Sequence, residues 1–389
     1  MLRVTLFTTC ILLSSLAKAS NIYFAGVGFV STTVSAQNSL LFSTKFEERN
    51  SLTEPFFSRL YSEIEGFTLG NGDIVSTGLA SLKTNNDVTL ALTFESEELV
   101  INKIADNEYT LKYTLDAPIL IYDVSKQSVL SSQPIRLAIT DISDHYPSDD
   151  ELIDFTSSVF LGLDRNIENS LLLNEFFRIL EDIEIKNSYA FSIQVTGVSF
   201  SDNASNYLSK HSIDPDYYSQ KLASTFSSIL STELGVPVLP FIKGDTIGRK
   251  VALRFRETGV MSLEIPEPTF SIELLHRGFA TKLLEESKSA QRYTFGTGLN
   301  VKVQNNIFQE ILFDRSFQLG IPKNFTKQMQ IQESYWHSET IAALIAGVIN
   351  QFNEYDRSWV KEHISGKYND KDVKSEFELI RNGVLANLR

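Results

Sequence analysis

Tyr109-Thr110-Leu111-Lys112-Tyr113-Thr114-Leu115 and, about 180 residues later, Tyr293-Thr294-Phe295-Gly296-Thr297-Gly298-Leu299 are two strand-like runs that can be laid one on the other. Both place Tyr, Leu or Phe at every second position or close to it, the period that turns one face of a strand inward. Arg136-Leu137-Ala138-Ile139 follows the first run, and Gln318-Leu319-Gly320-Ile321 follows the second once two residues are dropped between them. An amphipathic helix closes each set: Leu152, Phe155, Val159 and Leu163 line one, and Ile341, Leu344, Ile345, Val348 and Phe352 line the other. A period this long excludes a solenoid and predicts two αβ modules that each close a core, unless hairpins rich in Thr, Tyr, Leu and Val merely look alike. The 389 residues suffice for two domains.

Outward from these runs, residues 21–34, Val88–Phe94, Leu99–Ile104, Tyr109–Tyr122 and Val129–Ile139 read as strands, with an Asn-Gly turn at Gly70-Asn71-Gly72-Asp73. Ser148 and Glu151 form a capping box, and a second helical stretch spans about 166–183. Strands are expected again at 189–200, 251–255, 262–265, 270–275, 293–304 and 311–319, with helices over 216–234 and after the competing caps Ser334 and Ser338. The fold class is therefore α+β, two tandem modules of antiparallel strands with packed amphipathic helices. The expected divisions are a signal peptide at 1–19, modules at 20–187 and 188–357, and a helical tail at 358–389. In element order alone, the strand-strand-helix ends of both modules resemble the αβ modules of bacterial envelope assembly proteins such as the curli-secretion and flagellar-collar families. The resemblance rests on no diagnostic motif and transfers no functional residue.

The N-terminus predicts export. Arg3 supplies a positive start, Val4 to Leu16 carry no charge, and Ala17 and Ala19 place small side chains at a signal-peptidase site, so cleavage is expected before Ser20. The apolar run is too short to span a bilayer, and no later segment reaches the necessary length, so the mature chain has no transmembrane span. Cleavage removes Cys10, the only cysteine, and with it any disulfide or thiol chemistry. It leaves 33 Lys/Arg against 48 Asp/Glu, a net charge of −15 that speaks against nucleic acid as a partner. A cysteine-free exported chain of this size points to the periplasm or outer membrane of a Gram-negative bacterium.

Reaction chemistry finds no local motif. There is no Gly-x-Ser-x-Gly elbow, no two of the five histidines stand at i, i+4, and the isolated Gly-x-Gly pairs lack a dinucleotide context, so no cofactor and no metal are called for. The acidic run Asp141, Asp144, His145, Asp149, Asp150, Glu151 and Asp154 matches no calcium loop, and its middle members sit where a helix N-terminus favours negative charge.

Two surfaces remain as candidates. Period two sends Lys250, Arg254 and Arg256 to one strand face, a candidate anionic-ligand face if acids of the chain itself do not meet it. In the tail, Val373, Phe377, Ile380, Val384 and Leu388 make one apolar stripe that docks either on a partner or on the chain's own second module. The expected function is a non-catalytic binding or assembly role in the cell envelope, with an envelope protein or polymer as partner. The alternative is a periplasmic hydrolase or metal-dependent enzyme whose site is assembled from distant positions. The sequence carries no signal for an oligomeric state.

Overall fold

The computed structural model describes residues 22–31, 40–77, 88–185, 190–242, 250–255 and 259–388. The signal segment, the 187/188 division and Arg256 lie outside the described residues. The first half runs β1 (Ile22–Ser31), α1 (Leu41–Glu48), α2 (Asn50–Ile64), β2 (Val75–Thr77), β3 (Val88–Phe94), β4 (Ser96–Ala105), β5 (Glu108–Asp116), β6 (Ile119–Asp123), β7 (Ser128–Gln133), β8 (Arg136–Ser143), α3 (Asp149–Leu161) and α4 (Leu171–Asp182). The second runs β9 (Ile193–Phe200), α5 (Asp202–Lys210), α6 (Pro215–Leu234), β10 (Lys250–Phe255), β11 (Gly259–Glu264), β12 (Phe270–Glu286), β13 (Ala290–Asn305), β14 (Glu310–Thr326), α7 (Glu333–Asn353), α8 (Arg357–His363) and α9 (Asp370–Leu379). A π-helical turn, Ile380–Leu385, and a last turn, α10 (Ala386–Leu388), end the tail. The fold is α+β.

Prolines set the architecture of the first half. The runs 109–122 and 129–139, expected as single strands, are each broken near a proline, Pro118 between β5 and β6 and Pro134 between β7 and β8. Proline cannot donate to a ladder, so pairing stops there and the chain changes sheet. It crosses the same corner between β3 and β4, at Glu95. The result is a three-stranded sheet, β4-β5-β8, joined at a corner to a seven-stranded one ordered β10-β11-β7-β6-β3-β1-β2.

β10 also pairs with β1, so this larger sheet closes on itself. Ala91 and Leu120 alternate with Leu90, Leu92, Ile119 and Ile121 along β3 and β6, which separates two faces. One face, with Ala25, Ala91, Leu120, Tyr122, Leu253 and Leu263, makes a small core of its own. The other packs on α1 to α4, where Phe46 stacks on Phe160 at 4.3 Å and Phe24 meets Phe176 at 5.9 Å. Such aromatic pairs add about 0.5–1.5 kcal/mol each beyond their burial. The β10–β11 hairpin was expected within the second module; its ladders run to β1 and β7 of the first half, because Leu253 and Leu263 complete the inner core there.

The second half is simpler. β14-β13-β12-β9 form one sheet, with β9 parallel to β12, covered on its core face by α5, α6, α7 and the tail. Gly235 caps α6 in the left-handed region at φ 64°. A bulge in β12 separates His276 from Gly278. A Cβ at Gly278 would stand 2.3 Å from Oδ1 of Asn203, so only glycine is accommodated at this φ of 143°. α7 starts at Glu333, ahead of both caps expected at Ser334 and Ser338, because burial of His337 and Thr340 draws the preceding turn into the helix. The runs 109–115 and 293–299 lie in β5 and β13, each the central partner of two antiparallel neighbours. Their registers differ by two residues: Tyr113 pairs with Ile139, whereas Thr297 pairs with Leu319, the counterpart of Leu137.

Candidate functional site

The structure treats the sequence-derived candidates differently. Lys250 is exposed at the start of β10, and the backbone of Arg254 pairs with Phe29 and Val260. Arg256 is not among the described residues. In the tail stripe, Val373, Phe377, Ile380, Val384 and Leu388 are all buried in the second core. Phe377 lies 4.9 Å from Phe313 and 5.4 Å from Phe352, and Arg315 holds Glu376 through two bonds of 2.7 and 2.6 Å. A short amphipathic helix needs a surface, and the chain's own sheet supplies it, so the stripe is closed to a partner.

In the acidic run, Ser148 and Glu151 form the capping box, His145 bridges Asp144 and Glu151 at 2.7 and 2.9 Å, and Asp150 pairs with Arg49. The two carboxylates push His145 up, and the Ser148 bonds with His145 hold Glu151 down to about 2. No cluster of three or more metal-ligating side chains occurs among the described residues.

The seam between the halves brings together polar residues that no local pattern links. Strands β4, β5 and β8 face α6 and α7 across a cavity of about 120 Å³. Lys221 Nζ reaches Glu98 at 2.6 Å and Ser338 Oγ at 3.0 Å; Lys112 Nζ reaches Glu339 at 2.6 Å. Arg136 joins Asp116 at 3.2 Å to Thr225 Oγ1 at 2.9 Å, and Gln220 donates to Glu95 at 2.7 Å. Burial, and then the charge of Asp116, push the Glu95 carboxyl up to about 7 against the pull of its bonds from Gln220 and Ser224. Burial also raises Glu97, although Tyr113 and Ser43 donate to it. Three cations thus pair with three carboxylates at the seam while Glu95 is held by neutral donors, an arrangement that clasps the two halves together.

A second buried group lies behind the sheet. His276 and His337 are almost fully enclosed, with side-chain bonds to Thr297 at 2.8 Å and to Thr281 at 3.1 Å respectively. Phe279 packs against both rings, at 4.3 and 5.1 Å. Burial, helped by the neighbouring His337, holds His276 down to about 3; burial holds His337 down to about 4, with Glu333 pulling the other way. Both rings are therefore neutral at pH 7.

The β13–β14 turn is the feature that sequence reading missed. Ile307, Phe308 and Ile311 are 63, 75 and 55% exposed, on a turn otherwise made of Asn, Gln and Glu. Asn305 Oδ1 accepts from the backbone of Ile307 and Phe308, and Gln309, at φ 54°, donates its side-chain amide to Asn306. Asn306 is tied to Pro268, Thr269 and Ser271. These bonds fix the turn so that two large apolar side chains point outward from a built support. The signal was present as adjacent Ile and Phe inside a turn-forming stretch.

No family model and no curated protein matches the sequence. Among solved structures, rare lipoprotein B from Shewanella oneidensis is 16% identical, with 39% of this chain and 96% of that one covered and a TM-score of 0.20. A minor lipoprotein from Acinetobacter baumannii is 13% identical over 41% and 90%, with a TM-score of 0.19. A neuraminyllactose-binding hemagglutinin homolog from Helicobacter pylori is 10% identical over 46% and 95%, with a TM-score of 0.25. These distant neighbours include lipoproteins of Gram-negative bacteria, and scores of this size leave the role to be argued from the chain itself. No helix among the described residues is long and apolar enough to cross a membrane.

Proposed function

We propose that this chain is an exported envelope protein, periplasmic or outer-membrane-associated, with a non-catalytic binding or assembly role. The observation that carries the reading is the β13–β14 turn. Exposing Ile307 and Phe308 costs the solubility of the free protein, and a bonded frame that holds them outward pre-orders them for a partner. The N-terminal sequence supports export. The charges at the seam are paired with one another, which supports a structural use for them.

Cross-linking in intact cells tests the role. The wild-type chain should capture a discrete partner, and Ile307→Ser/Phe308→Ser should lose it with an unchanged melting temperature, since both side chains are mostly exposed. A cross-linking pattern identical in the two proteins would refute the assignment to this turn.

A further inference from the structure

A groove of about 430 Å³ runs beside the seam, between β4 and the segment that leads into α7. Its volume lies in the range of about 300–1,000 Å³ typical of small-ligand sites. Tyr109, Tyr146 and Tyr335 line it together with Gln330, Gln332 and Ser334. Tyr109 and Tyr146 meet edge to face, with centroids 5.6 Å apart and planes at 89°, so they form an aromatic corner. Tyr335 is steadied from one side by Lys112, whose Nζ stands 5.4 Å from the ring centroid. The charges are few. Glu98 is neutralised by Lys221, and among the described residues Lys103 has no ion-pair partner.

We propose that this groove binds an oligosaccharide. Sugar rings present C–H faces that pack on tyrosine and hydroxyls that exchange hydrogen bonds with amides and serine, and the lining offers both kinds of surface in one concavity. A peptide is a poorer match. The strand edge it would pair with is that of β4, and the chain already uses it: the Gln330 backbone donates to the carbonyl of Lys103, and the Gln332 side chain donates to that of Ile101. Strand addition is closed at those two carbonyls, which leaves recognition to side chains. Lys103 can serve a ring hydroxyl of a neutral sugar or the carboxylate of an acidic one. The inference rests on the reading of the chain as a binding protein and adds a ligand class at a separate place from the β13–β14 turn.

Isothermal titration of the full mature chain with chitotetraose, a neutral sugar, and with tetragalacturonate, an acidic one, tests it. Saturable binding of either supports the proposal, and Lys103→Ala should weaken the acidic sugar more than the neutral one. Tyr146→Ala should lower affinity by about tenfold, as loss of an aromatic anchor does, while the melting temperature stays fixed because this side chain is 66% exposed. Gln330→Ala, also at an exposed position, is the second variant and should weaken binding in the same direction. The proposal is overturned if neither sugar gives a saturable heat, or if Tyr146→Ala binds as the wild type does. It is also overturned if Tyr146→Ala abolishes a protein cross-link while both sugars fail. Failure here with a cross-link still lost in the Ile307→Ser/Phe308→Ser chain removes the sugar and leaves the binding role standing.

Discussion

Acid should weaken the second module through its two enclosed histidines, and the size of the effect follows from their surroundings. His276 is held down to about 3 and His337 to about 4, in both cases first by burial. In the unfolded chain each titrates near ~6.5. The folded value is the lower one, so the unfolded state takes up the proton first. Stability is intact above ~6.5 and is lost as pH falls toward the folded values. At pH 5.0 the unfolded state gains about 1.5 pH units of protonation per histidine, worth about 2 kcal/mol each. Glu95 moves the opposite way in this window, so the clean measurement is a difference between proteins. His276→Phe keeps a ring against Tyr218 and Phe279 and removes one titration, at a pH-independent cost of about 1 kcal/mol for the lost bond to Thr297. Urea unfolding at pH 7.5 and 5.0 should show the wild type losing about 2 kcal/mol more than the variant. Parallel pH profiles would refute the reasoning, since they would mean that His276 does not stay neutral in the folded state.

At the seam, Glu95→Gln should stabilise the protein increasingly as pH rises. A carboxyl pushed up to about 7 costs no stability below ~4.5, an increasing amount through the interval, and its full amount only above about 7, so in urea unfolding the advantage of the variant should be about 2 kcal/mol larger at pH 8.0 than at pH 5.5, and equal slopes would discount the burial of this group. Ser148→Ala removes the cap of α3 and should cost about 0.5–2 kcal/mol in denaturant unfolding, with millimolar calcium leaving the melting temperature unmoved. Co-expressed fragments 20–187 and 188–389 should copurify, because β10 and β11 of the second complete the sheet of the first; fragments that separate on a sizing column would contradict that pairing.

The site was legible only where its chemistry is local. The capping box of Ser148 and Glu151 stands three residues apart, and a helix start requires nothing further. The tail stripe showed as a period, but a period states that a surface is needed and not whose; β14 and α7 supply it in this fold. The turn at 305–311 gave no signal because Asn, Gln and Glu outnumber Ile and Phe there, and the exposure of the apolar side chains depends on how the neighbouring loop at Pro268 and Thr269 braces the turn.

By itself the sequence determined the α+β class, the alternation in β5 and β13, the helix faces and the charge that disfavours nucleic acid, because each depends on residue spacing or composition along one segment. Pairing over long distances was decided by the tertiary structure alone. Lys112 meets Glu339 and Arg136 meets Thr225 across the seam, and Leu253 joins Ala91 and Leu120 within one closed sheet. A period of two fixes which face of a strand is apolar but not which strand it will meet, so the hairpin 250–264 could be read as a hairpin from its sequence and placed only by the core it completes.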